Sequence, residues 1–398
     1  MSQPRRSPRA GIRPELELLL CCAQASTDSE RGGRITALLQ EQLDWKYLLA
    51  TARRHRIMPL LYQSLVSACP QGVPPAVLEQ LEDLFRNNVR RSFFLTGELL
   101  RCLASLDAQG IPAVPYKGPL LAALTHGDFA LRQFDDLDIL VHEQDVLKAR
   151  DLFVSQGYRP EFQLNRAQEA AYLRDYSAYQ VVRAEGMIVV ELHWRITETY
   201  FSFPLVTDEL WERLEVASLA GREVRTLSPE DSILILCAHA TKHVWTRLAW
   251  ICDVAKLIGA HQDMHWARVM ERAAMLGSER MLFLGLFLAS DLLGAAVPEQ
   301  VLERVRAEPA VVSLAGQVRE RLLRDSHDQP GNLESCLFHL KARERWQDRV
   351  RYCVRLAVTT TPGDWASVRL PAALFPVYYL LRPFRLVGQY APGLWRRC

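Results

Sequence analysis

Two aspartates on one short segment are the residues best suited to do chemistry in this sequence. Apolar and acidic residues alternate over 134–141, which predicts a β-strand with Asp136 and Asp138 on the same face. Two carboxylates about 7 Å apart along a strand can share a divalent cation, and such oxygen ligands suit Mg²⁺. A half-exposed edge strand with two solvated acids would show the same local pattern.

Two further strand-like segments carry polar groups. An apolar run ends in Lys117 and Gly118 just before a helical segment, and a β-branched run over 187–194 contains Glu191 and places His193 on the same face. A buried strand seldom carries an acid unless the acid is paired or binds a metal. Three strands therefore bring candidate groups to one place, which is the layout of a two-metal phosphoryl-transfer site.

The ordered set of motifs resembles the uncharacterised nucleotidyltransferases of the DNA polymerase β-like superfamily, from Leu43 to Tyr390. The matching pieces are Tyr116-Lys117-Gly118; Arg132 with Asp136-Leu137-Asp138-Ile139-Leu140-Val141; Glu191-Leu192-His193-Trp194; His239, Lys242, His243, Trp245, Arg247 and Leu248 with Asp253; and Thr361-Pro362-Gly363-Asp364-Trp365 with the segment 379–386. The resemblance implies an α+β fold, in which a small mixed-sheet nucleotidyltransferase core is flanked by N- and C-terminal helical domains.

The resemblance also implies a Mg²⁺-dependent transfer of a nucleoside monophosphate (NMP) from an NTP to an acceptor hydroxyl or phosphate. Asp136 and Asp138 would be shared ligands of two metal ions, Mg²⁺ or alternatively Mn²⁺. Glu191 would complete the metal that activates the acceptor and serve as the general base. His193 shares the face of Glu191, where it either orients a ligand or the acceptor, or only forms the cleft wall.

Phosphate contacts are expected from Lys117, Gly118 and Arg132. Better-known members of the superfamily carry Gly-Ser or Gly-Gly at the Lys117-Gly118 position, so the usual serine contact to phosphate is absent and Lys117 is inferred to replace it. Gly118 lets the backbone and the following helix N-terminus approach an anion. Arg132 suits a bidentate phosphate clamp. The alternatives are an exposed loop lysine, and a structural salt bridge of Arg132, for example with Asp135.

A later helix presents a second group of polar residues. His239, Lys242 and His243 share one face by their i, i+3, i+4 spacing, and Arg247 lies one turn further on. The glutamate of the H-E-x-x-H zinc motif is missing, because Ala240 follows the first histidine. The face is therefore interpreted as a substrate or phosphate contact, with a polar face covered by another domain as the alternative.

The chain is predicted to have four regions. They are an N-terminal helical region (14–109), a nucleotidyltransferase core of short strands and helices (110–216), a helical domain that forms the other wall of the cleft (217–358), and a Pro/Arg-containing amphipathic tail (359–398). Ser228-Pro229 marks a helix start, since serine is a good N-cap and proline suits the first helical position. The tail has no acid after Asp364, so it could contact lipid headgroups, RNA or an acidic partner, or pack on the protein.

Composition limits the partners and the location. There are 48 Lys and Arg against 46 Asp and Glu, which gives no global charge for binding a long nucleic acid. Nine cysteines without a C-x-x-C pair suggest neither a disulfide framework nor a thiolate zinc site. No secretory signal and no transmembrane segment is expected, which predicts a cytoplasmic protein.

The predicted substrates are an NTP and an unidentified acceptor. A small molecule, a sugar, a peptide and a tRNA end all remain open as acceptors. The alternative function is a catalytically inactive module that keeps the fold and binds a nucleotide or a partner. Three converging acids favour the enzyme, because they repel one another without a catalytic role.

Overall fold

The computed structural model of the chain describes residues 12–24, 29–183, 187–205, 207–324, 330–368, 370–371 and 374–395. Its strands are β1 (Ala113–Pro115), β2 (Asp136–Val141), β3 (Tyr158–Pro160), β4 (Ala178–Arg183), β5 (Val189–His193), β6 (Glu215–Leu219) and β7 (Arg222–Thr226). Its helices are α1 (Pro14–Ala23), α2 (Ser29–Leu38), α3 (Trp45–Arg54), α4 (Met58–Ala68), α5 (Pro75–Asp107), α6 (Gly118–His126), α7 (Val146–Ser155), α8 (Arg166–Asp175), α9 (Thr207–Trp211), α10 (Pro229–Lys242), α11 (Leu248–Ala260), α12 (Trp266–Leu276), α13 (Glu279–Leu293), α14 (Glu299–Arg306), α15 (Pro309–Leu323), α16 (Asn332–Lys341), α17 (Trp346–Val358), α18 (Pro362–Ser367) and α19 (Val377–Trp395).

The first five strands form one mixed sheet in the order β1-β2-β5-β4-β3. Strands β2 and β5 run parallel, and the other neighbours are antiparallel. In the parallel pair Asp138 lies opposite Glu191, and Asp136 lies opposite Val189. The sheet and its helical flanks confirm the predicted α+β fold class.

Strand β2 is buried along most of its length, and this explains its alternating sequence. Leu137, Ile139 and Val141 pack in the core under the sheet. On the opposite face Leu140 belongs to a smaller cluster that includes Ile235 of α10. On that second face Asp136, the first residue of β2, is partly exposed and Asp138 is buried, so the two aspartates lie at the edge of the covered region.

The helices before and after the sheet share a single hydrophobic core. Leu18 of α1 and Leu61 of α4 belong to the same buried cluster as Ile251 of α11 and Leu284 of α13. The regions 14–109 and 217–358, which were predicted separately, therefore pack into one helical body.

Helix α5 and hairpin β6–β7 join this helical body to the sheet. The first half of α5 places Leu81 in the helical core, and its second half places Leu95 and Leu99 in the sheet core. Strand β6 begins at Glu215 and crosses the predicted domain boundary at 216. Helix α5 thus belongs to both hydrophobic cores, and β6 spans the boundary that was predicted between the sheet and the following helices.

Helix α10 begins where the sequence predicted it. The Ser228 hydroxyl accepts a hydrogen bond from the Asp231 backbone N–H at 3.2 Å, and Pro229 is the first helical residue. Apolar side chains on two sides of α10 pack in different cores, with Leu234 in the helical body and Ile235 against β1 and β2. This double packing fixes the orientation of its third, polar side.

The C-terminal segment packs into the fold. Asp364 of α18 is buried and accepts hydrogen bonds from the guanidinium groups of Arg382 and Arg385 on α19. Trp365 and Tyr378 belong to the sheet core. Two of the five tail arginines are thus ion-paired internally, while Arg369, Arg396 and Arg397 lie outside the described residues.

No helix among the described residues is both long enough and apolar enough to cross a membrane. The described cysteines are free thiols, and most of them are buried.

The turn between β1 and α6 depends on glycine. Gly118 has a φ of +55°, which is unfavourable for residues with a side chain, and a Cβ there would lie 3.3 Å from the Asp136 carbonyl oxygen. The turn therefore lies directly against the start of β2. This close approach brings Lys117 next to the aspartates.

We predict that Gly118→Ala lowers the free energy of unfolding by about 1–2 kcal/mol, because alanine is strained at positive φ. Urea denaturation measures the change. The matched control is Gly97→Ala, an exposed position inside α5 with no neighbour within 4 Å of the added methyl group. That control should gain about 0.5–1 kcal/mol from helix propensity. Equal effects of the two substitutions would contradict this account of the turn.

Candidate active site

Strands β2 and β5 bring three predicted site residues together. The Nε2 atom of His193 lies 3.0 Å from Asp138 Oδ1 and 3.1 Å from Glu191 Oε2. One ligand atom from each of these residues lies within 4.8 Å of the others. The contact follows from the register, because Asp138 and Glu191 are direct cross-strand neighbours.

Lys117 reaches the same cluster from the β1–α6 turn. Its Nζ atom lies 3.1 Å from Asp138 Oδ1, and its side chain is only 12% exposed. Burial disfavours the charged amine, but the pKa of Lys117 is raised because the attraction of Asp138 and other acidic groups outweighs this effect. The alternative of an exposed loop lysine is therefore wrong.

The pKa values of the two aspartates are shifted in opposite directions. Burial, followed by repulsion from Asp138 and Glu191, raises the pKa of Asp136 to about 6. Burial would also raise the pKa of Asp138, but Lys117 and His193 hold it below its ordinary value. The two aspartates lie two residues apart on one strand. Their pKa values differ because only Asp138 contacts both Lys117 and His193.

His193 lies between two acids that raise the pKa of its ring. Burial alone would lower its pKa, yet its hydrogen bonds to Asp138 and Glu191 raise it. Its other ring nitrogen, Nδ1, is buried and has no hydrogen-bond partner among the described residues. The ring also contacts the Tyr116 ring edge to face, with 5.3 Å between their centroids.

Arg132 forms a bidentate salt bridge with Asp253 of α11. The distances are 2.8 Å from Nε to Oδ1 and 3.0 Å from Nη2 to Oδ2. Asp135, the partner considered from sequence, instead pairs with Arg56 and Arg91. Arg132 still lines the cleft beside the aspartates. Arg132 therefore has a structural partner and is also part of the cleft wall.

The predicted polar group around the end of α10 lines the same cleft, with His239 and Lys242 on the helix, His243 at its C-cap and Arg247 just before α11. This cleft of about 850 Å³ also contains the carboxylates. Lys242 Nζ pairs with Glu198 at 2.6 Å. The positive charge expected from this group is thus partly neutralised.

The histidines of this group contact an aromatic side chain. The rings of His239 and His243 lie 4.7 Å apart, and both contact the Trp250 indole at 5.8 and 5.3 Å between centroids. The Arg247 guanidinium lies 5.4 Å from the Trp250 ring centroid. Burial and nearby cations lower the pKa of His239 well below its ordinary range, so this ring is neutral at pH 7.

Several cleft residues carry no sequence signal that would mark them as functional. Glu198 follows β5 in an irregular loop, and Trp250 lies on an apolar helix, so neither belongs to a recognisable pattern. Pro362 and Gly363 of α18 also line the cleft, as do Tyr172 and Tyr176, whose rings stack 4.3 Å apart. Asp253 and the segment around Pro362 were marked only through the family resemblance.

The donor set fits a divalent cation. Asp138 and Glu191 supply carboxylate oxygens and His193 a nitrogen within one small volume, whereas Asp136, predicted as a ligand, lies outside this cluster on the same strand and lines the same cleft. Lys117 and His193 meanwhile provide positive charge next to Asp138. Lys117 and His193 therefore offset part of the negative charge of the three carboxylates, and the site offers the ligand types of a hard or borderline metal.

A nucleotidyltransferase is the class that this fold and its site define. Residues 41–294 match the family described as "Uncharacterised nucleotidyltransferase", NTP_transf_5, and the chain belongs to this family. The match confirms the family that the sequence motifs had indicated. No protein with a curated description matches the chain.

Two solved structures are similar to parts of the chain. One is the antibiotic-resistance factor ANT(2'')-Ia, with 18% identity, a TM-score of 0.30, and coverage of 45% of this chain and 89% of that one. The other is an antigenic nucleotidyltransferase-like protein from Paracoccidioides brasiliensis, with 16% identity, a TM-score of 0.31, and coverage of 54% and 96%. Similarity at this level does not define a substrate.

We predict that Asp136→Asn and Asp138→Asn change stability in opposite directions. The pKa of Asp136 is raised, so its carboxylate destabilises the fold as pH rises from about 4 through about 6, and Asp136→Asn should add about 1–3 kcal/mol at pH 8. The pKa of Asp138 is lowered, so its stabilisation is present above its ordinary pKa, and Asp138→Asn should cost about 1–3 kcal/mol at pH 8.

Urea unfolding at pH 8 and pH 4.5, with a chelator present, measures both changes. The gain from Asp136→Asn should shrink at the lower pH, where the wild-type carboxyl is mostly protonated in the folded state. Stability effects of the same sign for both variants would contradict the assigned electrostatics.

Proposed function

We propose that this protein transfers an NMP from an NTP to an acceptor hydroxyl or phosphate in a Mg²⁺-dependent reaction. The observation that carries this proposal is the pairing of Asp138 with Glu191 across two parallel strands, with Asp136 on the same face. Membership of a nucleotidyltransferase family supports the reaction class.

Positively charged groups on both sides of the carboxylates fit a triphosphate. Lys117 lies at a turn that leads into helix α6, whose N-terminal amides favour an anion. Arg132 reaches the cleft from the segment before β2. We assign to these two side chains the binding of the NTP phosphates, with Gly118 allowing close approach of the backbone.

Asp136, Asp138 and Glu191 would hold the metal ions, and His193 lies close enough to contribute or to orient a ligand. When bound, Mg²⁺ neutralises charge on the transferred and leaving phosphates and lowers the pKa of the acceptor oxygen. Lys117 and His193 must then share Asp138 with this added charge. Metal binding is therefore expected to loosen their contacts with the carboxylate.

The reaction forms a bond between an acceptor oxygen and the α-phosphorus, and it breaks the bond from that phosphorus to the pyrophosphate oxygen. Glu191 faces the cleft and is partly exposed, so it can accept the acceptor proton. Lys117 and Arg132 stabilise the negative charge on the departing pyrophosphate. Positioning and charge stabilisation are the main contributions of the protein.

We predict that Asp138→Asn lowers NMP transfer at least about 100-fold, because the shared carboxylate is lost. The protein is incubated with each α-labelled NTP, Mg²⁺ and a cell extract, and labelled products are counted. Asp263→Asn, at an exposed turn residue, is the matched control and should transfer label like the wild type.

Label transfer that is equal in Asp138→Asn and wild type would contradict the proposal. Nucleotide binding that calorimetry finds unchanged by Mg²⁺, with no transfer to any acceptor, would favour the inactive binding module.

We predict that His243→Ala and Lys242→Ala both raise the KM for substrate, about 3- to 30-fold, because both side chains line the cleft. Because the His243 side chain is exposed, His243→Ala should leave the melting temperature unchanged. Lys242 pairs with the partly buried Glu198, so its loss should also cost about 1–3 kcal/mol of stability.

Thermal melts and Michaelis constants measured together test both statements. The double variant Lys242→Ala/Glu198→Gln serves as the control, since it removes the unpaired carboxylate and should recover stability without recovering KM. Unchanged kinetics in both single variants would assign this wall a scaffold role.

A further inference from the structure

A second cavity of about 420 Å³ adjoins the cleft. The two cavities share Ile196 and Glu198, which belong to the loop that follows β5. Arg195, two residues after His193, also lines the second cavity. The loop that forms the floor of this cavity is therefore a direct continuation of the strand that carries Glu191.

Three arginines converge on this cavity, which we call the arginine pocket: Arg195 from the loop, and Arg351 and Arg355 from α17. Glu198 is the one acid in the described lining, and it is already paired with Lys242. The lining thus has a net positive charge, and this favours an anionic group.

The three arginines differ in their partners. Arg195 pairs with Glu143 at 3.0 Å, and Arg351 pairs with Asp348 at 2.7 Å. Arg355 donates to the Thr199 carbonyl oxygen at 2.8 Å, but no carboxylate among the described residues lies within salt-bridge distance of it. Its charge is therefore available to a ligand.

A buried hydroxyl adds an independent sign of a missing ligand. Thr197 lines the arginine pocket and is only 6% exposed, yet its Oγ1 atom has no hydrogen-bond partner among the described residues. A buried hydroxyl without a partner is costly unless another molecule satisfies it. Next to arginines, an oxyanion is the ligand that would use both groups.

We propose that the arginine pocket binds an anionic group, a phosphate or a carboxylate, of the acceptor. This inference rests on the proposed function, since it names the chemical class of the acceptor in that reaction. Arg355 contributes the charge, Thr197 contributes a hydroxyl donor, and the shared residues Ile196 and Glu198 connect the bound acceptor to the cleft with the NTP. An uncharged acceptor would leave the Arg355 charge without an anionic partner and the Thr197 hydroxyl without a hydrogen-bond partner.

Inorganic phosphate and acetate are the two probes, each titrated at constant ionic strength while the melting temperature is recorded. Binding to two independent sites adds, so the difference between wild type and a pocket variant reports the arginine pocket alone. We expect Arg355→Gln to weaken the affinity of the arginine pocket at least about tenfold for the probe that fits, and so to remove the part of the response that belongs to this pocket. A difference between wild type and Arg355→Gln for phosphate alone, or for acetate alone, identifies which oxyanion the acceptor carries.

Three further variants make the test specific. Arg268→Gln removes an equally exposed arginine from α12 and should respond like the wild type. Arg355→Lys keeps the charge and should retain part of the response, whereas Thr197→Val keeps the shape and should lose part of it. Equal responses of Arg355→Gln and wild type would overturn the proposal, and so would an equal loss in Arg268→Gln.

Calorimetry with a non-hydrolysable NTP and Mg²⁺ separates this inference from the proposed function. We expect Arg355→Gln to bind the nucleotide as the wild type does, since Arg355 does not line the NTP cleft. No nucleotide binding by the wild type would contradict the proposed function but leave the phosphate and acetate titrations readable. Weakened nucleotide binding in Arg355→Gln would contradict the separate acceptor role.

Discussion

The parallel pairing of β2 with β5 in a single register is the constraint on which the whole cleft depends. It places Asp138 opposite Glu191 and directs His193 to both carboxylates. A slip of one residue would turn Glu191 and His193 to the other face of the sheet. The apolar residues Val190 and Leu192 prevent this slip, because they are fully buried in the sheet core on that other face.

Charge pairing across distant elements completes the site. Asp138 contacts Lys117 from the β1–α6 turn, Arg132 contacts Asp253 on α11, and Lys242 of α10 contacts Glu198. Each pair joins segments that are separate in the chain. Buried ion pairs add little net stability compared with apolar packing, but removing one partner leaves an uncompensated charge. These pairs therefore fix the position of the cleft walls more than they stabilise the fold.

The sequence by itself determined the elements that follow from short-range rules. Alternation predicted β2 with Asp136 and Asp138 on one face, and the acid within a β-branched run marked Glu191 on β5. Ser228 and the proline after it predicted the start of α10, because N-capping acts within one turn. The resemblance carried by the ordered motifs indicated the nucleotidyltransferase family. In each case the signal lies in neighbouring residues or in their fixed periodicity.

The tertiary structure alone decided the partners and the common core. Arg132 is 121 residues from Asp253 in sequence, and no local pattern could select that partner over the adjacent Asp135. The helices before and after the sheet share one core, although the order of segments along the chain predicts two separate helical regions. Trp250 and Glu198 reach the cleft only because α11 and the loop after β5 pack there. Periodicity shows which face of an element is buried, whereas long-range packing decides what covers that face.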